Sequence, residues 1–561
     1  MRARGLGQPC AWLVASIVAC SSASGGDASS TGDSEADDGT AAPEVGVDGD
    51  VDTAEVAAPV CGEGPRFAWS AGPHGTRRGD LAGDFEVPLT DGSAWSYAGT
   101  FTGCDTIVVI PDRLVVSPLQ PVSIWDDDAG LRDLLARSPA EVIYLFVSSA
   151  SDEAAADAHA LAMRARLDAL LEDPGLAAWW RPRLLVSDTR AQALDGWVGP
   201  ALTGHLAMGI AIAPDQRIHG VGSLADVRRR DERLAAAGEW PWKSNVAYAA
   251  YDARYAQAEA ARQAALDAED TTVVNLWDAD LLAERAEVDV TLPTAEVMAG
   301  FDTLEVELIA RCPDPDVPEV GNCGAWDYLA SLSVRDGERD LEVVRAITTY
   351  HRESRWVVDA TALLPALASG GPRRFSWSFA PSWNTQPTVW SVRLRLSDRG
   401  RGVRPARVTP LFTGGAFGAA YNAAREPAIV PIGAGARRVE LWAIITGHGA
   451  GTAQCAEFCA HAHTFTIDGH ANVRTFDEAR AEEGCVAELA RGMTPNQAGT
   501  WWFGRGGWCP GQAVAPWIVD VTAEVTPGAD ATVTYRGTLA GAEPPDGAGD
   551  IVLTSYLVEY E

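Results

Sequence analysis

The sequence predicts a multidomain protein, with an α/β domain in its N-terminal half followed by two all-β sandwiches. Three observations carry that expectation. The chain has 561 residues, enough for about three to four domains of ~150 residues each. Between residues 61 and 240 buried-strand runs alternate with helical periodicity, whereas beyond Asp270 short alternating runs separated by Gly, Pro and Asp continue to the C-terminus. Apolar residues make up 47% of the chain and include 20 Trp, enough for several cores. The net charge of −33 repels phosphate backbones and excludes a nucleic-acid binder, which needs a basic footprint.

The elements follow in chain order. Residues 1–19 read as a signal peptide, with Arg2 and Arg4 ahead of an apolar stretch from Ala11 to Ala19. The last four residues of Ile17-Val18-Ala19-Cys20 resemble a bacterial lipobox. That resemblance implies cleavage before Cys20, a lipid on that cysteine and a membrane anchor, and Ser21 in place of an aspartate points outward, to the outer membrane or cell surface. Residues 20–60 read as an acidic, disordered tether, with ten Asp and Glu and no Lys, Arg or aromatic residue from Ser21 to Val60. No other stretch reaches the ~18 apolar residues of a membrane-spanning helix.

The expected α/β domain covers 61–240: a strand over Thr106–Ile110, another over Val142–Val147, a helix with Met163, Leu167, Leu170 and Leu171 on one face, and a strand over Met208–Ile212. Its opening, Gly83 to Gly92, and its late hairpin, Ile210 to Ile218, resemble a thioredoxin-like redoxin domain. The working thiols are missing. A redox enzyme needs a low-pKa thiolate just after the first buried strand, and here that strand runs into Pro111-Asp112-Arg113-Leu114. Cys104 precedes the strand and has Cys61 as its nearby spare, so the two read as a structural disulfide in a redox-inactive domain. Arg228 to Arg230, hemmed by Asp226, Asp231 and Glu232, read as a solvated helix face.

Residues 241–270 read as a connector helix docked by one stripe of Tyr248, Tyr251 and Tyr255. Strands such as Ala286–Leu292 and Leu304–Ile309 open the β half, with no helix expected to the end. Its length suits two sandwiches, 271–405 and 406–561, divided in the Pro- and Arg-rich segment Arg401 to Pro410.

Cys10 leaves with the signal peptide and Cys20 takes lipid, so eight cysteines remain for four disulfides in an oxidising compartment. Six lie in the β half and frame polar and aromatic stretches: Cys312 and Cys323 before Trp326-Asp327, Cys455 and Cys459 around Glu457, and Cys485 and Cys509 enclosing Arg505 to Trp508. Carboxylates held in such frames suit catalysis, which needs rigid placement. Two carboxylates can divide general acid and base work when their surroundings split their pKa values. Trp326 and Trp508 offer flat apolar faces for sugar rings, and Arg505 a fixed fork of donors.

From about Thr271 onward the chain resembles the peptide-N-glycosidase F family. The resemblance rests on Cys312…Cys323-x-x-Trp326-Asp327, on Ile347-Thr348-Thr349-Tyr350 followed by Val358-Asp359-Ala360-Thr361, on the Cys455-Ala456-Glu457-x-Cys459 clamp running into His463-Thr464, and on Arg505-x-Gly507-Trp508-Cys509-Pro510-Gly511. It implies two adjacent jelly rolls, three disulfides, and a site at their interface that cleaves the amide between an N-linked glycan and asparagine on glycoproteins. It further implies that Asp327 is the essential acidic residue, that Glu457 acts through a water and that Arg505 neighbours Glu457; Arg505, Trp326, Trp508, Tyr350 and His448 are expected on the substrate side, in a monomer without cofactor or metal.

Three departures fall on glycan contacts. The family has a third acid where Arg374 to Trp383 contains none, an arginine where this chain has Tyr328, and a tryptophan where it has Thr446-Gly447-His448-Gly449. They motivate one alternative, a surface glycan- or glycopeptide-binding lipoprotein without turnover. A remoter alternative is a copper monooxygenase of the related tandem jelly-roll fold, with His461 and His463 on one strand face and His448 as a third ligand. Against it, His351 is the lone histidine of the first sandwich and Met493 the lone thioether candidate, so a satisfied, structural histidine pair is the simpler reading.

Overall fold

Two apolar runs, Thr106–Pro111 and Val142–Val147, are buried at every residue, as strands covered on both faces require. In the computed structural model, which describes residues 66–113, 123–226, 245–282, 284–386, 388–449, 455–481, 483–496 and 502–561, they pair in parallel at the centre of a five-stranded sheet. Leu184–Val186 continues the parallel run on one side, and Ile210–Ile212 and Ile218–His219 add an antiparallel edge on the other. Helices Asp128–Arg137 and Glu153–Leu170 cover one face through Leu131, Leu134, Met163 and Leu167. Helix Val198–Thr203 covers the opposite face. The expected strand over Met208–Ile212 starts later, at Ile210, with Met208 exposed in the preceding turn.

Where a thiol would follow the central strand, Asp112 accepts from Ser148 Oγ, Ser149 N and Ser149 Oγ and pairs with His159 Nδ1 at 2.6 Å. A closed polar knot occupies that strand end. Cys104 is disulfide-bonded. Its expected partner Cys61, the signal peptide, Cys20, the tether and Arg228 to Arg230 lie outside the described residues.

The connector differs from the single helix expected. It consists of helices Asn245–Ala250 and Asp252–Asp267, parted at Tyr251. Tyr248 and Tyr251 dock on one apolar cluster with Tyr350, Leu489, Met493 and Trp502, whereas Tyr255, half-buried on the second helix, lies outside it.

The β half is two sandwiches of two four-stranded antiparallel sheets each. The first has Thr271–Leu281, Val389–Ser397, Thr303–Arg311 and Ser354–Asp359 in one sheet, and Arg285–Thr294, Gly370–Phe379, Leu329–Asp336 and Arg339–Ile347 in the other. The second has Pro405–Ala416, Asp550–Tyr560, Arg438–His448 and Trp517–Asp520 facing Ala428–Pro431, Asp530–Leu539, His461–Ile467 and His470–Thr475. Counting strands in chain order within each sandwich, both have one sheet ordered first, eighth, third, sixth and the other second, seventh, fourth, fifth. That double interleaving of Greek keys is the jelly roll. The single-turn helices Ala295–Met298, Leu364–Leu367 and Cys455–Phe458 correct the helix-free expectation.

Alternation sets the packing. Trp356, Trp377 and Trp390 point into the first core, with ring centroids of Trp377 and Trp390 4.6 Å apart. Trp442, Tyr556, Val558 and Tyr560 of the second sandwich extend that core across the seam. Arg345 of the first sandwich spans the seam too, donating to Thr446 Oγ1 at 2.9 Å and Val552 O at 2.7 Å. The two sandwiches therefore present a fixed edge to one another, and the framed loops gather at it.

Candidate active site

Disulfides join Cys312 to Cys323, Cys455 to Cys459 and Cys485 to Cys509, the three pairs implied by the family resemblance. The first staples the loop that delivers Trp326-Asp327 into strand Leu329–Asp336. Thr348, at the end of the neighbouring strand, fixes the delivery: its Oγ1 donates to Trp326 O at 2.7 Å and accepts from Tyr328 N at 2.8 Å. Two residues on, the Tyr350 hydroxyl donates to the Asp327 carboxylate. Tyr350 N in turn donates to Asn496 Oδ1 of the third disulfide loop at 3.0 Å.

Glu457 sits in the four-residue helix of the second disulfide. Its Oε1 accepts from Arg505 Nε at 2.9 Å and its Oε2 from Gly449 N at 2.9 Å. Arg505 is fully buried and bridges the sandwiches, with its Nη2 also 4.0 Å from Asp327 Oδ2. Backbone zippering holds it there: Gly506 N donates to Glu457 O, and Gly447 N to Gly506 O. The two glycines after Arg505 are required by space. A Cβ on Gly506 would lie 2.2 Å from His461 Nε2, and Gly507 combines φ of +89° with 2.4 Å to Ile445 O.

The two carboxylates are partly exposed at the site mouth, 18% for Asp327 and 15% for Glu457. Burial pushes the Asp327 carboxyl up to about 6, against the opposing pull of Arg505 and the Tyr350 hydrogen bond and with some help from the Glu457 charge. Burial, reinforced by the Arg345 and Arg505 charges, pushes His448 down to about 3, so it is a neutral ring at the site.

Placement sorts the residues picked from the sequence. Asp327, Glu457, Arg505, Tyr350 and His448 gather at the seam, and Trp326 is 52% exposed beside Asp327. Trp508 is corrected. It is buried, stacked under His448 at 4.9 Å and under the Arg505 guanidinium at 4.7 Å, with its Nε1 donating to Gly447 O. It is a floor for the site rather than an open face for a sugar. Thr348 and the Gly449 N–H were not singled out from the sequence. The first sits inside the Ile347-Thr348-Thr349-Tyr350 motif, but a backbone donor such as the second has no signature in residue type.

The copper reading does not fit these residues. His461 Nε2 lies 2.8 Å from Ala456 O, which can only accept, so it carries the proton, and His461 Nδ1 accepts from His463 Nε2 at 2.7 Å. His463 Nδ1 then takes the Tyr535 hydroxyl at 2.6 Å. All four ring nitrogens are used. The pair is a structural pin under the Glu457 clamp, while Met493 is buried in the connector's cluster.

That pin has a pH signature. Burial pushes His461 down to about 4 and His448 to about 3 from the ordinary 6.5, so unfolding takes up a proton at each as pH drops below about 6.5. Stability therefore falls between about pH 6.5 and 4, on the order of 3 kcal/mol for His461 alone. The raised Asp327 has the opposite sign and offsets part of this. Denaturant melts at pH 7 and 4.5 should show the fall; equal midpoints would contradict it.

Comparison with known proteins finds similarity to one family. Residues 417–558 match the family model described as Peptide-N-glycosidase F, C terminal. The Peptide-N(4)-(N-acetyl-beta-D-glucosaminyl)asparagine amidase F of Elizabethkingia miricola is 25% identical over 283 residues, 46% of this chain and 73% of that protein. A crystal structure of peptide-N(4)-(N-acetyl-beta-D-glucosaminyl) asparagine amidase shares 19% identity at a TM-score of 0.44, covering 52% of this chain and 96% of that one. PNGase F from Flavobacterium meningosepticum, described as a glycosylasparaginase, shares 18% identity at a TM-score of 0.41 with the same coverage. The family match and the curated relative agree with the motifs for the jelly-roll half.

Proposed function

We propose that this chain, whose jelly-roll half is of the peptide-N-glycosidase F type, hydrolyses the amide between an N-linked glycan and asparagine, leaving aspartate in the protein. The observation that carries the reading is Arg505, buried at the seam between a carboxylate of each sandwich, one of them pushed up to about 6. The name of the 25%-identical relative, an asparagine amidase, supports the same substrate class.

The roles follow from the surroundings. At pH 7 a carboxyl with a pKa of about 6 is about nine-tenths ionised, so a proton that Asp327 delivers must first be gained in the reaction. Water supplies it. Asp327 accepts the proton as the water oxygen bonds to the amide carbon, then passes it to the glycosylamine nitrogen as the C–N bond breaks. The new side-chain carboxylic acid and the glycosylamine leave, the acid gives its proton to solvent to become aspartate, and Asp327 is again ionised. Glu457, fixed by Arg505 and the Gly449 N–H, orients the water. No oxocarbenium ion forms, so the spacing rules of glycoside hydrolysis do not apply. The exposed ring of Trp326 offers the sugar an apolar face.

Two outcomes test this. Purified enzyme should release intact glycans from a denatured N-glycoprotein, and no release from stably folded protein would refute the activity. The rate should rise with pH through about 6, because the ionised form of Asp327 is the working one. Tyr350→Phe removes a hydrogen bond that lowers this pKa, so the inflection of kcat/KM should move upward; an unmoved inflection would separate Tyr350 from Asp327.

In the same reading the chain is held at the bacterial envelope by lipid on Cys20, with a thiol-free, thioredoxin-like domain between tether and amidase. Labelling with a palmitate analogue, abolished by Cys20→Ala, tests the anchor.

A further inference from the structure

Behind the Tyr350 turn lies a charged group with no place in the chemistry above. Arg352, Asp252 and Glu319 have side chains only 2–3% exposed. Arg352 Nη1 donates to Asp252 Oδ1 at 2.8 Å and to Pro495 O at 2.6 Å, and its Nε is 3.7 Å from Glu319 Oε2. Such a group is poor evidence for stability, since the desolvation of three charges offsets their attraction; its best use is to fix one arrangement.

Each partner comes from a different part of the chain. Asp252 opens the second connector helix. Glu319 lies in the Cys312–Cys323 loop, where its N donates to Gly220 O of the α/β part at 3.0 Å and its O accepts from Cys323 N at 2.8 Å. Pro495 belongs to the Cys485–Cys509 loop. Arg78, also of the α/β part, grips the first disulfide loop by donating to Val317 O and Asp314 O and pairs with Glu353 at 2.7 Å. On the site side, His351 N donates to Gly324 O at 2.8 Å, and Tyr350 bonds Asp327. Arg352 is thus two residues from the group that touches the proposed catalytic carboxyl.

We propose that the Asp252–Arg352–Glu319 triad is a positioning device, through which the α/β part and connector hold the Tyr350 turn and the Asp327 loop in register. The N-terminal part is then a component of the active-site scaffold, not a spacer. The catalytic side of this inference rests on the amidase reading.

The test uses the full chain with Asp252→Asn, which keeps the side chain's size and removes its charge, and with Arg78→Ala, which loosens the α/β grip at the opposite end. Hydrogen exchange of amides 324–328 and 347–352 should quicken by about tenfold in both. On glycopeptide, kcat should fall about 10- to 100-fold, the scale of a small misplacement, with KM nearly unchanged and the inflection near pH 6 displaced. Folded variants whose exchange at both loops equals that of the parent would overturn the proposal, as would quickened exchange with unaltered kcat. Should the parent itself release no glycan, the amidase reading fails and the exchange result alone decides the triad.

Discussion

Asp327→Asn is expected to lower glycan release by about 10²–10⁴-fold, the range that proton transfer by a positioned side chain contributes. The variant should keep its fold, because asparagine fills the same space and its Oδ1 still accepts from the Tyr350 hydroxyl. It cannot take a proton from water at any working pH. The residual rate should therefore lose the inflection near pH 6 that the parent owes to this carboxyl. Steady-state kinetics on one glycopeptide across pH 5–8 separates the outcomes. A variant within a few fold of the parent, with the same profile, would remove Asp327 from the chemistry.

Arg505→Met should have the second large effect, on both stability and rate. The guanidinium is fully buried between carboxylates only 15% and 18% exposed. Methionine fills the volume above Trp508 but leaves two negative groups facing each other without a countercharge. Removing one partner of a buried ion pair costs about 3–5 kcal/mol, and the partial exposure of both acids places this case near the low end. A thermal melt should show a fall of several degrees. Loss of Arg505, the strongest influence lowering the Asp327 pKa, also moves the rate inflection upward. An unchanged melt with an unchanged inflection would mean that the two carboxylates do not share this cation.

Much of the frame was legible because its signals are local. Val142–Val147 is an unbroken apolar run that emerges as a strand with those ends, and Ala286–Leu292 alternates along a strand with one face in the core. The cysteine spacings marked the loops that hold Asp327, Glu457 and Arg505. What stayed hidden is set by distant contacts. Trp508 beside a cysteine in a glycine-rich loop reads as an open ring, yet the loop folds back until His448 roofs it. The break at Tyr251 leaves no trace in a tyrosine spacing that both helices continue. Nothing near Asp252 announces Arg352, a hundred residues away. Strand Gly370–Phe379 carries no acidic residue, and in the proposed chemistry Asp327 and Glu457, paired through Arg505, act without a third carboxylate.

The most direct measurement of that chemistry is the mass of the peptide product after an N-glycopeptide is digested in water labelled with heavy oxygen. Complete glycan loss is expected, with asparagine converted to aspartate bearing one heavy oxygen, and conversion slowed by about 10²–10⁴-fold with Asp327→Asn. Asparagine left unchanged, with or without a sugar stub, would contradict it.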